Sequence, residues 1–82
     1  MAIEVEVYNT QGHIEKKEVS QLKDIQDIVG GYIEIVFTEN RKNVLIVNEE
    51  GIPLGLTPNP HPAYHSFYGN VILAPSTILE ID

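Results

Sequence analysis

Two histidines four residues apart are the first side chains in this sequence whose types and spacing could do chemistry. On a helix, His61 and His65 would share one face, and two imidazoles so placed can bind Zn²⁺ when a third ligand arrives from elsewhere. His13 or Glu49 could be that ligand, but nothing in the sequence places either residue nearby. The prolines around the pair also disfavour a full helical turn. We therefore interpret both histidines as surface or hydrogen-bonded residues, and we predict no metal or other cofactor.

Aromatic side chains in the same segment could stack on a flat ligand such as a nucleotide base. Tyr64, Phe67 and Tyr68 follow one another at helical spacing, and an aromatic face can stack on any base. The same spacing suits a small satellite core that holds the segment against a sheet, and we favour that interpretation. Tyr8 and Tyr32 fall in predicted strands and are expected to be ordinary strand residues.

A basic pair, Arg41 and Lys42, lies in a predicted hairpin turn. It could contact an anion, although such pairs more often keep a turn soluble. The residues that we consider as contacts for a ligand or a partner are Asn59, His61, Tyr64, His65, Phe67, Tyr68 and Arg41.

No pair of nucleophile and general base can be named in this sequence, so we predict that the protein is not an enzyme. Ser20 and Ser66 lack the glycine-framed turn that exposes a nucleophilic serine. The glycine pair at 30–31 follows a predicted helix, whereas phosphate-binding loops precede one. Glu34 has apolar neighbours, but on a strand those neighbours point to the opposite face, so its carboxylate need not be buried.

Charge and composition exclude several classes of function. The net charge of −7 repels phosphate backbones, so we expect no nucleic-acid binding, although an acidic surface is also compatible with mimicry of DNA. The absence of cysteine excludes disulfides, thiolate catalysis and cysteine zinc sites. No apolar run approaches the ~20 residues of a membrane helix, and the first residues do not resemble a signal peptide. We therefore expect one domain over residues 1–82 that lies in the cytoplasm without membrane contact.

Apolar periodicity predicts the first three elements. Apolar and polar residues alternate over 3–8, which indicates a strand with one solvent-exposed face. The heavily charged stretch 13–19 is typical of an antiparallel strand at the edge of a sheet. Ser20 is the predicted N-cap of an amphipathic helix of about ten residues, which ends at Gly30.

The rest of the chain is predicted as strands around one irregular segment. Residues 32–38 and 44–47 should pair as a central hairpin, and 70–74 should form a last strand. Pro62 could open a short helical turn, and the tail 78–82 is a short strand or frays.

These elements predict an α+β fold, in which a single helix packs on a mostly antiparallel sheet of four to five strands. The other face of the sheet must be covered by the proline-containing segment or by a second subunit, and we predict a homodimer. The predicted core is Ile3, Val5, Val7, Leu22, Ile25, Val29, Ile33, Ile35, Phe37, Val44, Ile46 and Val71. The predicted side chains of the other face are Val36, Leu45, Val47 and Ile72.

Several ordered motifs resemble the DUF3846 family of uncharacterised domains, which are common in phage, plasmid and gut-metagenome sequences. They are the runs at 25–34, 44–51, 54–60 and 69–71, so the resemblance covers about residues 20–74. It implies a small α+β domain from a mobile element and no particular reaction. In the family a charged or helical stretch tends to follow the Pro-Asn motif, which is Pro58-Asn59 in this chain. Here the motif is followed by the short uncharged stretch 61–68.

The segment 52–79 is the most unusual part of the sequence. It contains no Asp, Glu, Lys or Arg, and it contains all five prolines. An uncharged, aromatic surface costs little to desolvate, which suits a contact site. We therefore predict a non-enzymatic protein-interaction module with an unidentified protein partner, whose contact surface is Leu54 to Gly69. The alternative is a dimer that captures a small nucleotide-like ligand, with the aromatic residues stacking on it.

Overall fold

The computed structural model describes residues 2–82 and confirms an α+β fold with one helix on a five-stranded antiparallel sheet. The strands and the helix are β1 (Ile3–Tyr8), β2 (Ile14–Val19), α1 (Leu22–Val29), β3 (Ile33–Phe37), β4 (Asn43–Asn48) and β5 (Val71–Pro75). Two 3₁₀ turns span Pro62–Tyr64 and Ser76–Glu80. No helix of residues 2–82 has the length and apolar character needed to cross a membrane.

The sheet has the order β2-β1-β5-β4-β3, so the last strand in the sequence is the central one. β3 and β4 form the predicted hairpin, but the prediction that this hairpin is central was wrong, because β3 is an edge strand. The middle of the sheet needs a strand that can be covered on both faces. β5 is free of charge, and its Val71 and Ile72 are both 0% exposed, whereas β3 carries the exposed Glu34.

The hydrophobic core lies between α1 and one face of the sheet, which we call the helix face. Its buried members are Val5, Val7, Val19, Ile25, Val29, Val44, Ile46, Ile72, Ala74 and Ile78, and Ile3, Ile28, Ile33, Ile35 and Ile81 pack against them. Alternation therefore predicted the inward residues of β1, β3 and β4 correctly, except at the end of β3.

Two predicted core positions, Leu22 and Phe37, are exposed, and one buried position, Val71, lies on the other face of the sheet from the one predicted. Leu22 and Phe37 are 37% and 54% exposed, because Leu22 is the first residue of α1 and Phe37 is the last residue of the edge strand β3. Val71 is buried, but Ile72 is the residue that pairs with Val7 and Ile46 and points to the helix face. The assignment of faces in β5 was thus off by one residue, which reverses every side chain of a strand.

The helix begins one residue later than predicted. Gln21 is the N-cap residue, and the Ser20 hydroxyl donates a hydrogen bond to Asp24 Oδ2 rather than accepting one from the backbone. The backbone N–H groups of Ser20 and Gln21 also donate to Asp24 Oδ2, at 2.9 and 3.2 Å. These bonds, first of all the one from the Ser20 backbone, hold the pKa of the Asp24 carboxyl below its usual value.

Two asparagine amides fix the other end of the helix. Gly30 ends α1 in the left-handed conformation, as predicted, with φ 85°. Asn48 Nδ2 donates to the Val29 carbonyl at 3.0 Å, and Asn70 Nδ2 donates to the Ile28 carbonyl at 2.9 Å. These carbonyls lie in the last turn and have no partner within the helix, so the two amides satisfy groups that would otherwise be buried unpaired.

The tail after β5 is neither a strand nor frayed. It forms the 3₁₀ turn Ser76–Glu80, in which Ile78 is 2% exposed. The carbonyl of Asp82 accepts a hydrogen bond from the Leu22 N–H at 2.7 Å. Since that N–H is one of the free donors at the start of α1, the tail stabilises the helix from its amino end.

We predict that Asn48→Ala lowers the free energy of unfolding by about 1–3 kcal/mol, because it leaves the Val29 carbonyl and the Glu50 N–H without a partner. Asn40→Ala is the matched control, since Asn40 Oδ1 also accepts from the N–H two residues ahead but lies in an exposed turn. Urea denaturation of both variants measures the difference. Equal losses would contradict a role for Asn48 in holding the helix.

The lowered pKa of Asp24 predicts a pH dependence of stability. A carboxyl whose pKa is depressed by folding stabilises the native state above its unfolded pKa, and this contribution disappears as the pH falls through the folded pKa. Asp24→Ala should therefore lower Tm at pH 7 relative to the parent chain, with a difference that shrinks below about pH 4. Asp27→Ala, which removes only the exposed pair with Lys23, is the control. A Tm difference independent of pH would rule out this interpretation.

Candidate functional site

The candidate site is the connection between β4 and β5, which we call the proline loop (residues 51–69). It lies on the face of the sheet opposite the helix, which we call the open face. On this face Val47 and Val71 are 3% and 0% exposed, although no helix packs there. The proline loop, and not a second subunit, therefore covers this end of the open face. Val36 and Leu45, further along it, are only half-buried.

Asn59 holds the proline loop on the sheet. Its side chain is 1% exposed, and its Nδ2 donates to the carbonyls of Tyr8 and Gly69 at 2.8 and 3.0 Å. Its Oδ1 accepts from the His61 N–H at 3.0 Å, and its own N–H donates to the Phe67 carbonyl at 2.9 Å. One amide thus joins β1, both ends of the aromatic stretch and the turn into β5.

Tyr8 is the centre of an aromatic cluster under the loop. The rings of His61 and Tyr64 meet it edge to face, with centroid distances of 5.1 and 4.8 Å. Burial raises the pKa of the Tyr8 phenol, and the Glu6 carboxylate and Tyr64 raise it further. All three effects favour the neutral phenol over the phenolate. This geometry agrees with the satellite-core interpretation of Tyr64.

The two histidines are engaged in different ways. His61 packs on Tyr8, and its Nε2 is buried without a hydrogen-bond partner among the described residues. His65 is exposed, and its Nδ1 lies 2.9 Å from the Pro62 carbonyl oxygen. The intervening 3₁₀ turn covers only Pro62–Tyr64, so the pair does not form the shared helical face of a zinc site. Among residues 2–82, no group of three or more potential metal ligands occurs.

Phe67 and Tyr68 are half-buried at the base of the loop. Tyr68 pairs with Pro58 in an isolated β-bridge, and a Cβ at Gly51 would lie only 2.7 Å from the Tyr68 carbonyl oxygen. Both aromatic residues line a shallow hollow of about 220 Å³, together with Glu34, Val47 and Ile52. They are thus placed for partial contact with a ligand or a partner, but not as two walls of an enclosed pocket.

Arg41 is the one predicted contact residue that lies apart from the others. It sits in the β3–β4 turn with φ 55°, and its guanidinium carbon lies 5.8 Å from the centre of the Phe37 ring. The proline loop leaves β4 at the strand's opposite end, so one chain does not bring Arg41 together with the aromatic residues. A pocket that combines this cation with the aromatic stretch is therefore not formed within a single chain.

The sequence did not predict the roles of three residues. Tyr8 was expected to be an ordinary strand residue, and the contacts of the Asn48 and Asn70 amides with the end of the helix were not predicted. The alternation of β1 already places the Tyr8 ring on the open face, which indicates that another part of the chain must pack against it. Ile52 and Leu54 are the two large apolar side chains that the loop leaves exposed, at 69% and 56%.

We predict that Asn59→Ala lowers the free energy of unfolding by about 2–4 kcal/mol, because three buried or partly buried backbone groups lose their partner at once. Asn59→Asp should be at least as damaging, since a carboxylate would face the carbonyls of Tyr8 and Gly69. His65→Ala, in the same loop but exposed, is the control and should change stability by less than about 0.5 kcal/mol. Chemical denaturation checks all three, and a near-neutral Asn59→Ala would show that the loop is fastened elsewhere.

Comparison with known sequences assigns the chain to a family. No curated protein and no solved structure matches it. The family model of DUF3846, described as a domain of unknown function, matches residues 3–77, which extends the resemblance through β1 and into the last 3₁₀ turn. The match thus covers every strand, the helix and the entire proline loop, and the chain belongs to the DUF3846 family.

Proposed function

We propose that this protein is a non-enzymatic protein-interaction module whose contact surface is the proline loop. The observation that carries the proposal is a charge-free loop, fixed to the sheet, that exposes Ile52 and Leu54 in a protein of net charge −7. Apolar side chains on an otherwise acidic surface are the groups that gain most from burial against a partner.

The tip of the loop is ordered by its own hydrogen bonds. The N–H groups of Leu54 and Leu56 donate to the carbonyls of Glu50 and Gly51 at 3.0 and 2.9 Å, and the Gly69 N–H donates to the Thr57 carbonyl at 2.7 Å. A contact surface that is already rigid loses little conformational entropy on binding. Leu54 and the exposed Tyr32 also line an open hollow of about 430 Å³, whose rim includes the carboxylates of Asp27 and Glu50.

The alternative, capture of a small nucleotide-like ligand, has less support. Tyr64 is used against Tyr8, and Arg41 lies at the far end of the sheet. Native mass spectrometry of protein purified from cells separates the two functions. An additional mass of a few hundred daltons that stays with the chain would favour the ligand, whereas its absence agrees with an interaction module.

The proposal also includes the context of the protein. We propose that it is of phage or mobile-element type and acts in the cytoplasm. The family resemblance supports the first point, and the absence of cysteine agrees with the second.

The contact surface is tested with Leu54→Lys, and Ile14→Lys is a matched control on the edge strand β2, because the two side chains are 56% and 55% exposed. Partners captured from host extract by the parent chain are identified, purified and titrated by calorimetry. Leu54→Lys should raise Kd by about tenfold or more, whereas Ile14→Lys should leave it unchanged. Equal affinities for the parent chain and Leu54→Lys would contradict the proposal.

A further inference from the structure

We propose that two copies of this chain associate through the outer edge of β3, antiparallel about a two-fold axis at Ile35. The two five-stranded sheets would then form one continuous sheet with both helices on the same side. This inference rests on β3 and is independent of the proline loop.

The two edges of the sheet differ in how they are protected. β2 has four consecutive charged residues, from Glu15 to Glu18, all exposed, which is a common way to prevent pairing with another strand. β3 has the sequence IEIVF, with Glu34 as its only charge. Because charged residues protect β2 and β3 is almost entirely apolar, β3 is the edge strand that is available for pairing with another strand.

The backbone of β3 determines which groups face outward. The Glu49 N–H donates to the Tyr32 carbonyl at 2.9 Å, so the even-numbered residues of β3 exchange hydrogen bonds with β4. The N–H and C=O groups of Ile33, Ile35 and Phe37 therefore point away from the sheet. No other strand of residues 2–82 pairs with them.

A second copy of β3 satisfies all of these groups in a single register. When Ile35 pairs with Ile35 of the second copy, Ile33 pairs with Phe37 and Phe37 with Ile33, which closes the outward groups of both strands. On the open face, Glu34 then lies opposite Val36 of the second copy. The two Glu34 side chains become diagonal neighbours at about 7–8 Å, so no like charges lie directly opposite each other.

The helix face beside β3 provides apolar surface for the same contact. Phe37 is 54% exposed although it points to this face, and Leu22 and Leu79 are 37% and 47% exposed. Leu22 and Leu79 line an apolar hollow of about 210 Å³ whose floor includes Ile33 and Ile35. The proposed register places Phe37 of the second copy beside Ile33, at the mouth of this hollow.

Charge complementarity favours a second copy over an unrelated strand. The register directs the β3–β4 turn, which carries Glu39 as well as Arg41 and Lys42 and so has a net positive charge, toward the carboxyl end of α1 in the second copy. That end has no basic residue in its last turn, and Asp27 and Glu50 lie beside it. Helix carboxyl ends and carboxylates both attract cations, and the two-fold axis makes this contact twice.

The first test measures the mass of the full chain by sedimentation equilibrium over about 1 µM to 1 mM. Because a five-residue strand buries less surface than a standard interface, we expect a monomer–dimer equilibrium with Kd in the micromolar range. Phe37→Lys should raise Kd by about tenfold or more, because it places a charge in the apolar row. Ile14→Lys, on the opposite edge at 55% exposure, should not change it. Circular dichroism verifies that both variants are folded.

The second test examines the register by crosslinking, which the absence of native cysteine makes unambiguous. Directly paired residues have Cα atoms about 5.5 Å apart, so Ile35→Cys should form an intermolecular disulfide on mild oxidation. The two copies of residue 36 are diagonal at about 7–8 Å, so Val36→Cys should not.

Any of four results would overturn the proposal. The first is a chain that stays monomeric throughout the concentration range. The second is a dimer that Ile14→Lys disrupts and Phe37→Lys does not. The third is equal crosslinking of Val36→Cys and Ile35→Cys. A monomer that binds an extended peptide along β3 would also refute the second copy as the occupant.

Discussion

The hydrogen bonds from Asn48 and Asn70 to the last carbonyls of α1 are the interactions on which the rest of this structure depends. An eight-residue helix is too short to be stable by itself and must be held by tertiary contacts. Asn48 ends β4 and Asn70 precedes β5, so the two amides attach the helix to the middle of the sheet. Asn48 Oδ1 also accepts a hydrogen bond from the Glu50 N–H, just before the proline loop. Asn70 Oδ1 accepts one from the Thr10 N–H, in the turn between β1 and β2. Each amide therefore also fixes a turn.

A side-chain amide also holds the proline loop in place. A domain of 82 residues with one helix has enough apolar material to cover one face of its sheet. The other face is partly covered by irregular chain, which must satisfy its own backbone groups. The side-chain amide of Asn59 satisfies backbone groups of this segment and of β1 by hydrogen bonding to the Tyr8 and Gly69 carbonyls and to the His61 N–H. Tyr8 provides the apolar surface against which His61 and Tyr64 pack. Because these residues pack within the structure, Ile52 and Leu54 are the large apolar side chains that the loop leaves exposed.

Most of the fold could be predicted from local patterns, and the errors have physical causes. The alternation of Ile3, Val5 and Val7 set both the strand and its inward face correctly. Val71 and Ile72 are both apolar, so alternation could not decide which one faces the helix, and only pairing with Val7 and Ile46 decides it. Ser20 is a typical N-cap residue, but its hydroxyl donates a hydrogen bond to Asp24, and the N-cap residue is Gln21.

By itself, the sequence determined where the helix and the five strands lie along the chain, the charged character of β2 and the uncharged character of the proline loop. These are properties of neighbouring residues, namely their periodicity, turn chemistry and charge. The tertiary structure alone decided that β5 lies between β1 and β4, that β3 is therefore an unprotected edge, and that Arg41 is far from the aromatic stretch. Each of these depends on pairing between residues distant in the chain, which no local pattern encodes because a strand's partner is chosen by the burial of the whole sheet.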